Sequence, residues 1–294
     1  MLAQFVKTAI TDYLSENTTV KEITAVSGGD IHHAFELVLA DDTKLFIKCN
    51  RGVEAESMFL AEQDGLIRLS QQTALKVPKV MASGCLGELN QDIWYFLLLE
   101  FIDFTKQNNW EALGIELANL HKISQNQFGL PVNNYIGLSL QSNSMCTEWS
   151  DFWWNERLLF QLKLARANGY GKDLNPFEEL LKNRTYELLN DYDVKPSLVH
   201  GDLWSGNVAF TNGHPCIFDP AVYFADREVD LAMTELFGGF PSSFYEAYQK
   251  EYPLSDGYRK RVPLYNLYHL LNHLNLFGDS YLLQVHKSIK FLNT

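Results

Sequence analysis

The chain has 294 residues, enough for one large or two modest domains, and its 46% hydrophobic and 13% aromatic residues are ample for a buried core. The formal net charge of −12 argues against a nucleic-acid or anionic-membrane partner, because either surface would need basic patches. No basic leader with an apolar stretch opens the chain, and no apolar run reaches about 18 residues. We therefore expect a soluble, cytoplasmic protein.

The four cysteines carry no sign of a metal site or a disulfide framework. Cys49, Cys85, Cys146 and Cys216 lie far apart and form no CxxC pair. Free thiols in a reducing compartment are the expected state of cysteines in this pattern. The sequence leaves the oligomeric state open.

The first part of the chain has the pattern of a β-meander with packed helices. Apolar periodicity predicts a helix, three strands and a second helix, over residues 2–14, 23–26, 34–39, 44–48 and 54–70. Gly28 and Gly29 are expected to form a turn between the first two strands, and Lys48 to end the third. A lone Gly-Gly pair is more typical of a hairpin turn than of a phosphate-binding loop.

One further strand lies at the centre of this predicted sheet. Residues 77–80 lead into a strand, and 84–92 are expected to form a turn. Nine of the ten residues from Ile93 to Ile102 are apolar, so we expect this strand to be buried on both faces. A boundary between an N-terminal lobe, 1–102, and a C-terminal lobe, 103–294, is placed at its end.

Helical periods dominate the rest of the chain, with helices predicted over 110–122, 150–168, 175–190 and from 226 onward. The overall prediction is an α+β protein with a small antiparallel N-terminal sheet and a mainly helical C-terminal part. Trp149, Trp153 and Trp154 could form a sugar platform, although aromatic residues at helical spacing more often lie in a core. His269 and His273 are four residues apart, but no third metal ligand is apparent, so packing is expected.

The chemistry of the chain is concentrated between two short strands. An apolar run at 197–199 ends in a polar loop with Asp202 and Asn207, five residues apart, and Ile217-Phe218 ends in Asp219. One Asp can accept the proton of a substrate hydroxyl while Asn207 and Asp219 hold Mg²⁺ on nucleotide phosphates. Mg²⁺ takes oxygen ligands, few of them from protein. The set therefore predicts magnesium-dependent phosphoryl transfer from ATP.

This spacing is that of the protein-kinase loop H-R-D-x-x-x-x-N followed by D-F-G. Gly201 replaces the Arg, and Pro220-Ala221 replaces Phe-Gly, which resembles the aminoglycoside and choline phosphotransferases. HGDLWSGN at 200–207 with DPAVYFADREVDLAMTELFGGF at 219–240 resembles more closely the fructosamine kinases, or ketosamine 3-kinases. The resemblance covers nearly the whole chain.

The resemblance implies a two-lobed protein-kinase-like fold and a nucleotide site between the lobes. The turn with Gly28 and Gly29 would cover the phosphates, and Lys48 would reach the α and β phosphates. Glu62 is the expected partner of Lys48, although the same helix offers other acids: Glu54, Glu56 and Asp64. Backbone groups near Glu100, Phe101 and Ile102 would bind adenine.

The resemblance also implies the activity: ATP-dependent phosphorylation of the 3-hydroxyl of a ketosamine, either a small molecule or a glycated lysine on protein, as a deglycation step. Asp202 would be the base, and Asp230 would brace its loop. Trp204 and the segment 126–143 would border the acceptor. The net charge, with Asp226 and Glu228 beyond Asp219, could favour a cationic substrate.

Two alternatives stay open at this point. One is a phosphotransferase of the same fold that acts on aminoglycosides, choline or homoserine. The other is a pseudokinase that binds nucleotide without turnover, although Lys48, Asp202, Asn207 and Asp219 are all present, which counts against it. Sugar chain length and the carrier amine are not determined by the sequence.

Overall fold

The computed structural model describes residues 1–14, 18–26, 31–190 and 192–293, so the predicted turn at Gly28 and Gly29 lies outside the described residues. The N-terminal part is a five-stranded antiparallel sheet with the strand order β1-β2-β3-β5-β4. Its strands are β1 Val20–Val26, β2 His33–Leu39, β3 Lys44–Arg51, β4 Val80–Leu89 and β5 Asp92–Glu100. The expected meander is therefore confirmed.

One prediction about this sheet was wrong. Residues 84–92 were expected to form a turn, but β4 continues to Leu89 and pairs with β5 along this stretch. The turn consists of Asn90 and Gln91, both with positive φ (53° and 70°). Two residues in this conformation match the right-handed twist of paired strands, which makes a tight hairpin. The glycines at 84 and 87 misled the sequence-based assignment.

The two faces of the sheet belong to different apolar clusters. Side chains alternate along a strand, so Phe96 and Leu98 point to one face and Leu97 and Leu99 to the other. The first face packs against helix α1, Leu2–Ala9, which continues as a 3₁₀ turn to Tyr13. The second face packs against α2, Ala55–Gln72, and joins the main core. Burial on both faces of β5 is thus confirmed for its second half.

The C-terminal part is built from helices around this main core. They are α3 Trp110–His121, α4 Trp149–Phe152, α5 Leu159–Ala165, α6 Gly171–Leu174, α7 Glu178–Leu189, α8 Glu228–Leu236, α9 Ser242–Glu251, α10 Tyr258–Phe277 and α11 Leu282–Leu292. Two π-helical stretches, Trp153–Leu158 and Arg166–Tyr170, flank α5. No helix in the described ranges has the length and apolar character needed to cross a membrane.

The tryptophans of this region lie in the core. Trp149, Trp153 and Trp154 are 4%, 0% and 4% exposed, so the sugar-platform alternative is excluded. The Trp149 indole N–H donates to Tyr265 Oη at 3.0 Å, which satisfies its polar atom inside the core.

Three two-stranded antiparallel sheets interrupt the helices. The strands β6 Asn134–Ile136 and β7 Ser139–Gln141 form one, and β9 Val208–Thr211 pairs with β10 His214–Ile217 in another. The third pair, β8 Ser197–Val199 and β11 Tyr223–Ala225, joins segments on either side of the second. This pairing brings the residues after β8 beside those before β11.

Candidate active site

Two loops meet where β8 ends. The Asp202 loop, residues 200–207, follows β8, and the Asp219 loop, residues 219–222, leads into β11. The Ala221 N–H donates to the His200 carbonyl at 2.9 Å, and His200 Nε2 lies 3.0 Å from the Phe218 carbonyl oxygen. His200 therefore connects the two loops on both sides of Asp219.

Gly201 is required by this close approach. Its φ of +85° is unfavourable for residues with a side chain, and an added Cβ would overlap the carbonyl oxygen of Ala221. The glycine that replaces the arginine of the protein-kinase motif therefore has a packing reason: the Asp219 loop lies directly against it.

The expected brace at Asp230 is present. Its carboxylate accepts hydrogen bonds from the N–H groups of His200 (2.7 Å) and Gly201 (2.8 Å). His121 Nε2 lies 3.1 Å from Asp230 Oδ2, and its Nδ1 lies 2.8 Å from Tyr248 Oη. Burial opposes ionisation of Asp230, but these donors and the nearby histidines lower its pKa overall. The Asp202 loop is thus held by a buried carboxylate.

Asp202 and Asn207 face one another across their loop. Asn207 Nδ2 donates to the backbone carbonyl of Asp202 at 2.8 Å and to its Oδ2 at 3.2 Å. Burial raises the pKa of Asp202 to about 7, with smaller contributions from Asp219 and Asp230 and an opposing one from Asn207. A carboxylate with this pKa can take up a proton near neutral pH.

Lys48 links the sheet to helix α2 and to the Asp219 loop. Its ammonium donates to Glu62 Oε1 at 2.7 Å and to Asp219 Oδ1. Among the acids of α2 and its start, Glu54 and Glu56 are exposed and Asp64 pairs with Arg68, so Glu62 is the partner. This geometry selects one of the four carboxylates that the sequence offered.

The three charges shift each other's pKa values. Burial would lower the pKa of Lys48, but Asp219 and Glu62 raise it overall, so the ammonium is firmly protonated. Burial opposes ionisation of Asp219 as well, and the Lys48 ammonium nevertheless lowers its pKa. Burial raises the pKa of Glu62 more than Lys48 lowers it.

The donor set at this point suits magnesium. Asn207 uses only Nδ2 toward Asp202, and its Oδ1 has no protein donor among the described residues. Asp219 engages Lys48 through Oδ1, which leaves Oδ2 for another ligand. No group of three His, Cys, Asp or Glu side chains in the described ranges could hold a metal alone. Mg²⁺ bound by one or two protein oxygens and substrate phosphates fits that arrangement.

The predicted boundary between the two lobes, a hinge segment at residues 101–103, follows β5. The Glu100 side chain accepts from Lys76 Nζ at 2.6 and 2.8 Å, and its backbone N–H donates to the Lys79 carbonyl at 2.8 Å. Phe101 and Ile102 come after the end of the strand and are partly buried. The Glu100 N–H is therefore not available to a nucleotide.

An aromatic surface borders the Asp202 loop. Trp204 is 36% exposed and lies over Gly206, where any Cβ would overlap its ring. Phe237 meets Trp204 at a centroid distance of 6.1 Å and His273 at 4.9 Å, and Phe277 and Tyr281 continue the group. Sequence reasoning singled out Trp204 but missed Phe237, because the two lie far apart in the chain. His273 was correctly expected to pack.

One further residue near Lys48 was missed. The Asn50 amide donates to His32 Nδ1 at 3.0 Å, and the His32 ring packs on Phe59 of α2 at 4.9 Å. Burial and the nearby Lys48 lower the pKa of His32 to about 4, so the imidazole is neutral. The only sign of His32 in the sequence was its place just after the predicted turn at Gly28 and Gly29.

Two acids expected near the substrate are engaged elsewhere. Asp226 is buried and accepts from Tyr192 and Tyr265, and Glu228 forms a buried ion pair with Arg261 at 2.7 and 2.8 Å. Both carboxylates are buried and already paired inside the core. The expectation that Asp226 and Glu228 favour a cationic substrate was therefore wrong.

The sequence profile described as fructosamine kinase matches residues 2–293. A probable ketoamine kinase of Synechocystis is 41% identical over 275 residues, 92% of this chain and 90% of that protein. The chloroplastic protein-ribulosamine 3-kinase of Arabidopsis thaliana is 38% identical, over 90% of this chain and 80% of that protein.

Solved structures have a fold similar to that of this chain. A crystal structure from Haemophilus somnus, assigned as a fructosamine-3-kinase, superposes with a TM-score of 0.86 at 28% identity, covering 98% of this chain and 97% of that one. An aminoglycoside phosphotransferase mutant with AMP-PNP and hygromycin B gives a TM-score of 0.60 at 14% identity over 98% and 96%, which indicates a shared protein-kinase-like fold. The chain therefore belongs to the fructosamine kinase family.

Proposed function

We propose that the protein transfers the γ-phosphoryl group of ATP to the 3-hydroxyl of a ketosamine, the first step of a deglycation reaction. The observation that carries this proposal is the contact of Lys48, from β3, with Asp219, whose loop lies against the loop that pairs Asp202 with Asn207. The activities named for the ketoamine kinase and ribulosamine 3-kinase relatives support the choice of acceptor.

Each residue has a part in this reaction. The Lys48 ammonium, oriented by Glu62, donates to the α and β phosphates, and Asn207 and Asp219 offer oxygens to a magnesium ion. Magnesium, when bound, neutralises charge on the phosphate oxygens. Asp202 orients the acceptor hydroxyl and takes its proton, for which its raised pKa is suited.

The nucleotide would enter between the lobes 1–102 and 103–294. Because the Glu100 N–H is already bonded to Lys79, adenine recognition falls to the carbonyl of Glu100 and to backbone groups of Phe101 and Ile102. The turn with Gly28 and Gly29 would cover the phosphates. Phe104, just after the hinge, stacks on Phe218 at 5.5 Å and so connects this region to the Asp219 loop.

The acceptor would lie against Trp204. A sugar presents C–H groups that pack on an aromatic face, and a protonated ketosamine amine is attracted to aromatic rings. The group of Trp204 with Phe237 offers both within the reach of the Asp202 loop. Because Asp226 and Glu228 are buried in ion pairs and hydrogen bonds, selectivity for the amine would come from these rings.

The physiological acceptor would be a ketosamine formed on a small amine or on a lysine of a protein. A cytoplasmic setting suits this role, since the four cysteines are all unpaired thiols.

The test is Mg²⁺-dependent ADP formation with fructose, ribulose and erythrulose adducts of lysine, with the free sugars and an aminoglycoside as controls. We expect a higher kcat/KM for a ketosamine than for the matching free ketose. Equal rates on free ketoses and their lysine adducts would refute the ketosamine assignment, and activity on the aminoglycoside alone would move the protein to the neighbouring class of kinases. Nucleotide binding without turnover would identify a pseudokinase.

A further inference from the structure

The β6–β7 hairpin presents two buried amides to the Asp219 loop. Asn134 and Gln141 lie opposite one another in its ladder, and both are buried. Because side chains alternate along a strand, they share the inner face with Ile136 and Ser139. Polar side chains on the buried face of a two-stranded hairpin need internal partners, since burial without them costs free energy.

Those partners are backbone carbonyls of the Asp219 loop. Gln141 Nε2 donates to the Ala221 carbonyl at 3.0 Å and to Asn134 Oδ1 at 2.9 Å. Asn134 Nδ2 donates to the Val222 carbonyl at 2.8 Å. Two consecutive peptide groups, immediately after Asp219-Pro220, are therefore captured by side chains about 80 residues earlier in the sequence.

The orientation of both amides is determined by their partners. Carbonyl oxygens only accept, so the nitrogens of both amides face the Asp219 loop. Gln141 Oε1 then accepts from Tyr268 Oη at 2.8 Å, and Asn134 Oδ1 accepts a second hydrogen bond from Asn143 at 2.8 Å. Arg157 in turn donates to Asn143 Oδ1 at 2.7 Å. Both amides are thus paired through their nitrogen and their oxygen, and buried hydrogen bonds of this kind favour one arrangement.

The segment that the amides hold contains a strained residue. Asp219 has a φ of +56° and precedes a proline, and both features are unfavourable for a residue with a side chain. Such a conformation costs free energy and persists only where its surroundings determine it. On one side His200 bonds to Phe218 and Ala221, and on the other side the two amides hold Ala221 and Val222.

The same hairpin also contacts the helix that orients Lys48. On its outer face, Tyr135 Oη lies 2.7 Å from Ser57 Oγ at the start of α2. One turn after Glu62, a Cβ added to Gly65 would lie 3.1 Å from the Pro220 ring, so α2 rests directly on the Asp219 loop. The hairpin therefore supports both carboxylate partners of Lys48.

We propose that Asn134 and Gln141 are positioning residues that hold the Asp219 loop in the conformation that aims its carboxylate at Lys48 and at the magnesium site. This inference rests on the proposed function, because it takes Asp219 to be the metal ligand. The hairpin thereby replaces the Phe-Gly pair of the protein kinases as the element that determines where the metal-binding Asp lies.

The experiment compares Gln141→Leu and Asn134→Leu with the wild type and with Thr185→Val. The control removes one buried hydrogen bond, from Thr185 Oγ1 to the Leu181 carbonyl at 2.7 Å inside α7, remote from the Asp219 loop. Tyr268→Phe is a milder variant, should the leucine variants not fold, and it removes the hydroxyl that donates to Gln141. Folding is checked by thermal unfolding.

Three measurements follow: kinetics, AMP-PNP affinity with and without Mg²⁺, and amide hydrogen exchange of a peptide spanning 218–223. We expect kcat to fall about 10- to 100-fold with a much smaller change in the KM for ATP, because a misplaced metal ligand affects chemistry more than binding. The Mg²⁺-dependent gain in AMP-PNP affinity should shrink, and exchange at Ala221 should rise. Thr185→Val should change none of these.

Folded variants with the wild-type kcat, magnesium dependence and Ala221 exchange would overturn the proposal. An equal loss in Thr185→Val would do so too, since it would reduce the effect to stability. If the wild type phosphorylates no ketosamine, the proposed function fails, whereas the exchange and AMP-PNP measurements still decide whether the two amides position the loop.

Discussion

Replacing Asp202 by Asn separates the catalytic part of this residue from its effect on stability. The two side chains have nearly the same shape, and both can accept a hydrogen bond from Asn207, which lies 3.2 Å from Asp202 Oδ2. Asn has no ionisable group, so the variant loses the base and also loses the cost of a buried negative charge.

The sign of the stability effect follows from the direction of the pKa shift. Burial raises the pKa of Asp202 from 3.8 to about 7, so the folded state binds the proton more tightly than the unfolded state. The folded protein is not penalised below the unfolded pKa, the penalty grows as pH rises from there through the folded pKa, and it is complete above that value. A difference of roughly three pKa units corresponds to an upper limit of ~4 kcal/mol above about pH 7, less where water or cations reach the carboxylate.

The assay combines urea unfolding between about pH 5 and about pH 8 with steady-state kinetics. We expect Asp202→Asn to gain stability over the wild type increasingly as pH rises, while kcat falls about 10²- to 10⁴-fold with little change in ATP binding. In the wild type, kcat/KM should rise with pH through a midpoint near the pKa of the base. A variant that is less stable than the wild type at alkaline pH, or that keeps near-normal kcat, would refute this reasoning.

The remaining predictions concern the other groups of the site. Asp219→Asn should abolish Mg²⁺-dependent turnover while thermal unfolding stays cooperative. Near-normal turnover of this variant at saturating Mg²⁺ would show that Asp219 is not a magnesium ligand. Lys48→Met should raise the KM for ATP or lower kcat. Glu62→Gln should have the same effect more weakly, since Lys48 keeps Asp219 as a partner. Glu56 is exposed, so Glu56→Gln is the matched control and should leave both constants unchanged. Trp204→Ala should lower kcat/KM for a ketosamine more than it weakens ATP binding by calorimetry, and a reversed order would exclude the acceptor role.

Short motifs and strong periodicity were reliable guides, whereas turns and surface charge were not. The spacing of Asp202, Asn207 and Asp219 predicted a shared site because two short apolar runs end at the loop with Asp202 and Asn207 and at Asp219. Glycines misled the assignment of β4, because a ladder to a strongly apolar neighbour overrides the local preference of two glycines. Asp226 and Glu228 looked like surface acids at a helix start, but Arg261 and Tyr265, some 30 to 40 residues later, draw them into the core.

The sequence by itself determined the chemistry of this protein: the acids, the amide and the lysine that phosphoryl transfer needs, and the strands that end at them. It could not determine which acid of α2 meets Lys48, because four carboxylates share that stretch and only packing sets the rotation of the helix. Nor could it reveal that Asn134 and Gln141 hold the Asp219 loop, since a buried amide has no local pattern. Local propensity acts over a few residues, whereas a hydrogen bond across some 80 residues exists only once the chain has folded.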